Sequence, residues 1–510
     1  TPAPARRLAG GQNRMALTTP TGATPATFPR SGGSHAWNDH ADPAKVRTGA
    51  SRKAAAAPAP LRFKRAWFLL PGTLLPLLAA FVGFLLQQRG FTDLPPMPTE
   101  PIVRGRLLAG DGSVLAEGSA LERTYPQGGL AAPILGFTGA LQPDGRYGLE
   151  GVEYTLDSVL ATGQDVRLTI DPVLQATTEA HLAAAAAQHS AESGAAVVLE
   201  VGTGRVLAAA SYPSYDPNDW QSASRTQMLN RPFQQVYEPG SVIKPLVVAG
   251  LLQSGLLSPD ELIEAPMTLR VGTKTFRDVA RHDALLGVPD VLAYSSNSAM
   301  IHLGSRFQPA QLHDWFWRFG LGHDLDQQSI PSRTGIVNDW TRWVPQDQAS
   351  NSIGQNVSLT PLQLAAAYSV FANDGIYVPP SMVEGEQLPA PHRVLAPEVA
   401  QGIRSMLAHV MDTGGLRQAR IPGVNSGGKT GTADVYDAAA GTYLPDDYAL
   451  TFAGMFPIEK PEVVMVVMLM KPEAKSTSTY VAAPIFRAVG SEVVAHWGVA
   501  PKVEAVASAP

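Results

Sequence analysis

Tyr237-Glu238-Pro239-Gly240-Ser241-Val242-Ile243-Lys244 is the stretch from which the rest of the chain can be read. Pro-Gly is a turn signal, and the apolar run over 242–252 has the composition of a helix entered from that turn. Ser241 then stands in the first helical turn, and Lys244, three positions on, shares its face. A helix start offers free backbone N–H groups and the positive end of the peptide dipoles, useful where an oxyanion develops. A serine hydroxyl is a poor nucleophile until a base takes its proton. Lys244 is the candidate base, provided burial and a nearby cation bring its pKa from ~10.4 to about 7–8. Alone, the pair fits a capped surface helix equally well.

Two further segments lift the ambiguity. Ser295-Ser296-Asn297 falls between segments that read as helices. There Ser295 can relay a proton between Lys244 and a leaving amine, and Asn297 offers two donors and an acceptor to a peptide amide. Lys429-Thr430-Gly431-Thr432 reads as a strand, and Lys429 is the one lysine followed by Thr-Gly. Its charge would both depress Lys244 and attract a carboxylate. The hydroxyls of Thr430 and Thr432 can bind that carboxylate, and Gly431 leaves room for a ligand backbone at a sheet edge. The N–H groups of Thr432 and Ser241 could form a two-donor oxyanion hole. Each segment is weak by itself, since Ser426-Gly427-Gly428-Lys429 also fits Ser-Xaa-Xaa-Lys. The ordered trio is the strong signal.

The bulk numbers bound the rest. At 510 residues the chain can hold several domains, and 45% hydrophobic with 16% charged residues suits a globular protein with some membrane-buried segment. A net charge of −5 argues against a global nucleic-acid binder. With no cysteine, disulfides, thiolate chemistry and cysteine metal sites are excluded. His282, His302, His313 and His323 lack a compact ligand spacing and read as ordinary histidines. No metal site and no cofactor is expected. The chain opens on Thr1, with Met15 an alternative start.

Residues 1–61 are rich in Ala, Pro, Thr, Gly and Ser and read as a disordered cytoplasmic tail. Residues 62–88 read as a transmembrane anchor, because 66–86 carries no charge over the ~20 residues a bilayer requires. Arg47, Arg52, Lys53, Arg62, Lys64 and Arg65 precede it, which places the N-terminus in the cytoplasm and the remainder outside. Residues 89–163 read as a small β-rich membrane-proximal pedestal, with a hairpin from Leu107-Leu108 through Asp111-Gly112 to Val114-Leu115. The main domain, 164–498, opens with a strand at 166–170, then Asp171 as N-cap and Pro172 as first helical residue of a helix to 188. Strands follow at 196–201, 205–210, 449–456 and 463–470. A helix over 480–497 carries a stripe of Val481, Ile485, Val489, Val493 and Trp497 at four-residue spacing. The middle, about 241–420, reads as helices and loops. The expected fold is α/β (α+β): an antiparallel sheet flanked by helices with an inserted all-helical subdomain. Residues 499–510 read as a disordered tail.

The trio, in this order, is similar to the active-site set of the penicillin-recognising serine enzymes. Tyr237 to Lys244, Arg277-Asp278 ahead of Ser295-Ser296-Asn297, Ser352-Ile353-Gly354-Gln355 followed by Thr360-Pro361-Leu362-Gln363-Leu364, and Gly148-Leu149-Glu150 extend the likeness. The chain resembles the class B penicillin-binding proteins, membrane-anchored D,D-transpeptidases of bacterial wall synthesis. No separate glycosyltransferase domain fits upstream, so the two-headed class A type is not expected. The resemblance implies the penicillin-binding transpeptidase fold and a two-step acyl transfer. Ser241 would attack the penultimate D-Ala carbonyl of a peptidoglycan stem pentapeptide and release D-Ala, and a neighbouring amine would then take the acyl group. It further implies Lys244 as base, Ser295 as relay, and Asn297, Lys429, Thr430, Gly431 and Thr432 around the substrate. β-Lactams would be covalent inhibitors. A SEDS-type glycan polymerase and other division or elongation membrane proteins would be partners, with the compact pedestal favouring a septal, cell-division role. One departure is Ala109-Gly110-Asp111-Gly112, where the family usually has Asp-Arg-Asn-Gly. The rival readings are a D,D-carboxypeptidase, a β-lactam-hydrolysing or sensing enzyme on the same fold, and a non-catalytic scaffold. A Glu-Xaa-Xaa-Leu-Asn that would activate a deacylating water is missing between Asn297 and Lys429.

Overall fold

The computed structural model describes residues 103–325, 329–437, 439–473 and 477–498. The tails expected at 1–61 and 499–510 and the anchor expected at 62–88 lie outside the described residues. Among the described residues no helix is long and apolar enough to cross a membrane.

Five strands form the central sheet: β1 (Ser193–Glu200), β2 (Val206–Tyr212), β3 (Gly427–Asp437), β4 (Thr442–Phe456) and β5 (Val463–Met470). Their order is β3-β4-β5-β1-β2, and every neighbouring pair is antiparallel. β1 and β5 occupy the middle and are buried at all but their last residue. A strand buried on both faces reads as an unbroken apolar run, which is how Val463-Val464-Met465-Val466-Val467-Met468-Leu469 appears in the sequence. β3 lies at the edge.

Helices cover both faces. α1 (Pro172–Gln188) begins where the sequence predicts, with Asp171 accepting from Val173 N at 2.9 Å and Leu174 N at 3.0 Å. α2 (Lys244–Gln253) and α3 (Pro361–Ala372) belong to the middle of the chain, and α4 (Ser478–Trp497) closes it. α4 packs on α1 and on β4 and β5 through its buried Val481, Ile485, Val489 and Val493. α3 is buried at all twelve positions. The Thr360-Pro361-Leu362-Gln363 motif is its start. Thr360 Oγ1 accepts from Gln363 N, Gln363 Oε1 accepts from Thr360 N, and Gln363 Nε2 donates to three carbonyls, Gly320, His323 and Thr334. An amide so satisfied can be buried at little cost.

The insert between β2 and β3 is not all-helical. Its described residues carry four two-stranded ladders, Leu262–Glu264 with Leu285–Gly287, Thr268–Val271 with Lys274–Arg277, Ile336–Val337 with Val357–Ser358, and Ile376–Tyr377 with His392–Arg393. Strands of two to four residues are too short to show a period of two, so sequence patterning passes over them. The hairpin closing at Gly272 (φ +56°) matters most, because it delivers Asp278 to the site.

The segment ahead of α1 builds a small sheet in the order Arg123–Thr124, Val114–Gly118, Leu107–Leu108, Val166–Arg167. The expected hairpin is there, with Ser113 N bonded to Asp111 Oδ1 and Gly112 at φ +88°. The strand expected over 166–170 is shorter, Val166–Arg167, and pairs parallel with Leu107–Leu108. Beyond it Leu168 bridges to Val383 and Thr169 Oγ1 donates to Val206 O, carrying the chain into the main domain. Under this sheet Arg104 donates to Glu153 and Asp157 and Arg123 donates to Glu153, at 2.7–2.8 Å. All four side chains are almost fully covered.

Candidate active site

Gly240 (φ +62°) turns the chain into a 3₁₀ turn, Gly240–Ile243, that runs directly into α2. The geometry admits no side chain there. A Cβ on Gly240 would stand 2.5 Å from Thr432 O and 3.1 Å from Thr432 N. The serine turn is therefore pressed against the edge strand β3, and the Ser241 and Thr432 segments abut as the expected pair of oxyanion donors would have to. Gly354 (φ +79°) closes the other side, its carbonyl accepting from Gly240 N at 2.9 Å. Tyr368 OH, from the buried α3, donates to Val242 O at 2.8 Å. The Ser352-Ile353-Gly354-Gln355 segment thus acts on the site through the backbone of the turn.

Ser241 is half-buried at this turn, and Lys244 is fully buried at the start of α2. Lys244 Nζ donates to Ser295 O at 2.6 Å and to Asn297 Oδ1 at 2.8 Å, and lies 3.2 Å from Ser295 Oγ. Lys429 Nζ, 1% exposed as a residue, reaches the same Ser295 Oγ at 3.0 Å and the Thr430 carbonyl at 3.0 Å. One hydroxyl therefore bridges two amines. Burial foremost, and then the Lys429 charge, push Lys244 well below the usual lysine range, against an opposing pull from Asp278. Burial pushes Lys429 down to about 7. A neutral lysine has two N–H donors and one lone pair. Ser295 O and Asn297 Oδ1 occupy the two donors, which leaves the lone pair for a hydroxyl proton.

Ser295 has φ +56°. A non-glycine residue held there costs on the order of 1–3 kcal/mol and persists when its surroundings fix it. Lys244 and Lys429 hold Ser295 itself, and the three residues after it are pinned by Asp278, which sequence reasoning noted only as part of a family likeness. Its carboxylate accepts from Ser296 Oγ (2.6 Å), Ser298 Oγ (2.8 Å), Asn297 N (2.5 Å), Ser298 N (3.1 Å) and His282 Nε2 (2.9 Å). Burial works to raise its pKa, but the Ser296 and Ser298 bonds win and hold it below the usual carboxylate range. One Nδ2 hydrogen of Asn297 goes to Arg277 O at 2.9 Å, which leaves the second free to donate.

On β3, Lys429 and Gly431 alternate with Thr430 and Thr432, the latter two half-buried and exposed. Thr432 Oγ1 lies 3.2 Å from Ser478 Oγ, which in turn donates to Gly431 O. Ser478, the first residue of α4, went unnoticed in the sequence because a lone serine there carries no signal. The reading of Gly431 needs correction. A Cβ there would stand 2.4 Å from Pro239 O and 3.1 Å from Val242, so the missing side chain accommodates the protein's own serine turn, not a ligand backbone.

The sheet with its helical cover, and the lysine-serine-lysine bridge beside a buried turn, make a setting suited to a serine nucleophile. The family model described as penicillin binding protein transpeptidase domain matches residues 194–490. Penicillin-binding protein PbpB of Mycolicibacterium smegmatis is 32% identical over 418 residues, covering 72% of this chain and 64% of that protein's length. Peptidoglycan D,D-transpeptidase FtsI of Escherichia coli K12 is 32% identical over 408 residues, 74% of this chain and 68% of that protein. A crystal structure of penicillin binding protein 3 from Mycobacterium tuberculosis, complexed with ampicillin, superposes with a TM-score of 0.73 at 30% identity, over 80% of this chain and 98% of that one. The chain belongs to the class B penicillin-binding proteins.

Proposed function

We propose that this chain is a peptidoglycan D,D-transpeptidase working through an acyl-enzyme on Ser241. The observation that carries the reading is the Ser295 hydroxyl held between Lys244 and Lys429 beside the serine turn. Lys244, neutral through burial and its cationic neighbour, takes the Ser241 proton as the hydroxyl adds to the penultimate D-Ala carbonyl. The N–H groups of Ser241 and Thr432 receive the oxyanion. As the tetrahedral species collapses, the proton passes from Lys244 through Ser295 to the departing D-Ala nitrogen. Lys429, Thr430 and Thr432 hold the terminal carboxylate, and Asn297 holds the stem amide. An acceptor amine then adds to the ester and Ser241 leaves with its proton restored. β-Lactams enter by the same first step.

The likeness to FtsI supports a role in septal wall synthesis. On this reading residues 62–88 anchor the chain in the cell membrane with its catalytic domain outside. Residues 89–163 form the membrane-proximal pedestal, on which a SEDS-type glycan polymerase docks, and residues 164–498 form the transpeptidase domain. The test is to give the purified full chain a stem pentapeptide with and without an amine acceptor. D-Ala release with the acceptor joined to the shortened stem supports the proposal. A trimmed stem alone would make it a D,D-carboxypeptidase, and no release at all would favour a scaffold.

A further inference from the structure

His282 is a buried titratable side chain that the acyl-transfer steps leave unused. Its ring is fully covered. Nε2 stands 2.9 Å from Asp278 Oδ2, and Nδ1 stands 2.9 Å from the Asp283 carbonyl oxygen. The carbonyl can only accept. The Asp278 carboxylate already accepts two hydroxyls and two backbone N–H groups, so it too acts as an acceptor toward the ring. A histidine that serves an acceptor at each nitrogen carries a hydrogen on both. The ring lies on the carboxylate, with the Tyr294 ring tilted against it at 6.0 Å.

We infer that Asp278 and His282 are a positioning pair for the Lys244 base: the carboxylate pins the Ser295–Asn297 loop, and the imidazolium offsets the charge it would otherwise impose on Lys244. This rests on the acyl-transfer reading of the cleft. The groups facing Lys244 are Lys429 through Ser295, Ser295 itself, and Asn297 with Asp278 behind it. Asp278 is the anion in this set, and an anion favours the protonated amine. A cation bound to Oδ2, while Asn297 N takes Oδ1, works against that pull. Without it the base would stay protonated to higher pH.

The test is the rate of acylation of the full chain by a fluorescent penicillin across pH, before and after His282→Gln. The acid limb of the profile is expected to move about one unit toward alkaline pH. Near pH 6 the variant should be about tenfold slower, and near pH 9 it should recover to within about twofold. A loss equal at every pH, or no change at any, would overturn the proposal. A second measurement does not depend on the variant folding. Nitrogen NMR of the histidine-labelled chain near pH 8 should show a ring protonated at both nitrogens, and its absence would overturn the proposal directly. Failure of the unsubstituted chain to acylate at all would instead sink the acyl-transfer reading, and leaves the NMR to judge the pair.

Discussion

Two buried groups of charge in this chain are built in opposite ways. Under the small sheet, two arginines meet two carboxylates, Arg104 and Arg123 against Glu153 and Asp157, and direct bonds join them at 2.7–2.8 Å. In the cleft, two lysines, Lys244 and Lys429, share a serine hydroxyl, and the carboxylate behind them, Asp278, spends its oxygens on other donors. A balanced group can stay charged and hold structure together. An unbalanced pair of cations in a dry site cannot, and the outcome is an amine with a free lone pair next to a serine. Balance gives architecture, and imbalance gives chemistry.

The comparison can be broken at several points. Ser241→Ala should abolish acylation by a β-lactam while leaving the unfolding midpoint within about 0.5 kcal/mol of the parent, because a half-buried hydroxyl is removed without a large cavity. Lys244→Met should slow acylation by about 10²–10⁴, read by stopped-flow, since the general base is lost. In the small sheet the effect should be reversed. Glu153→Ala leaves two covered guanidiniums without their shared partner and should cost about 3–5 kcal/mol in denaturant unfolding, with the folded fraction still acylating at the parent rate.

The pH dependence of stability sharpens the contrast further. Lys429 titrates at about 7 in the folded chain and near the ordinary lysine value when unfolded. Between those values the unfolded chain binds more protons, so stability from this source is lowest below about pH 7 and rises with pH above it. The advantage of the parent over Lys429→Met in urea midpoint should therefore grow from about pH 7 to about pH 9. A difference that stays flat or shrinks would mean that Lys429 keeps its proton in the folded chain over this range. The smallest effect should come from an exposed ion pair. Removing the Arg318–Asp314 pair on the surface of the insert should change stability by less than about 0.5 kcal/mol.

Much of the site was legible because its chemistry sits in short motifs. Ser241, Lys244, Ser295, Asn297 and Lys429 come from three segments, and each segment's type and spacing name a task. The sheet was legible because β1 and β5 are buried on both faces and read as apolar runs, and α1 because Asp171-Pro172 is a complete helix start. What stayed hidden depends on contacts between distant segments. Asp278 and His282 sit on a loop after a hairpin too short to show a period, and their importance comes from donors up to 20 residues away. Gly354 and Tyr368 act on the serine turn from more than a hundred residues off. Gly431 shows the limit most plainly, since its sequence announces a close approach but not by what.

The most direct measurement is peptide-mapped mass spectrometry of the full chain after brief exposure to penicillin. The account predicts a stable adduct of penicillin mass on the peptide holding Ser241, lost in Ser241→Ala and formed far more slowly in Lys244→Met. An adduct on another residue, or a drug hydrolysed with no lasting adduct, would contradict it.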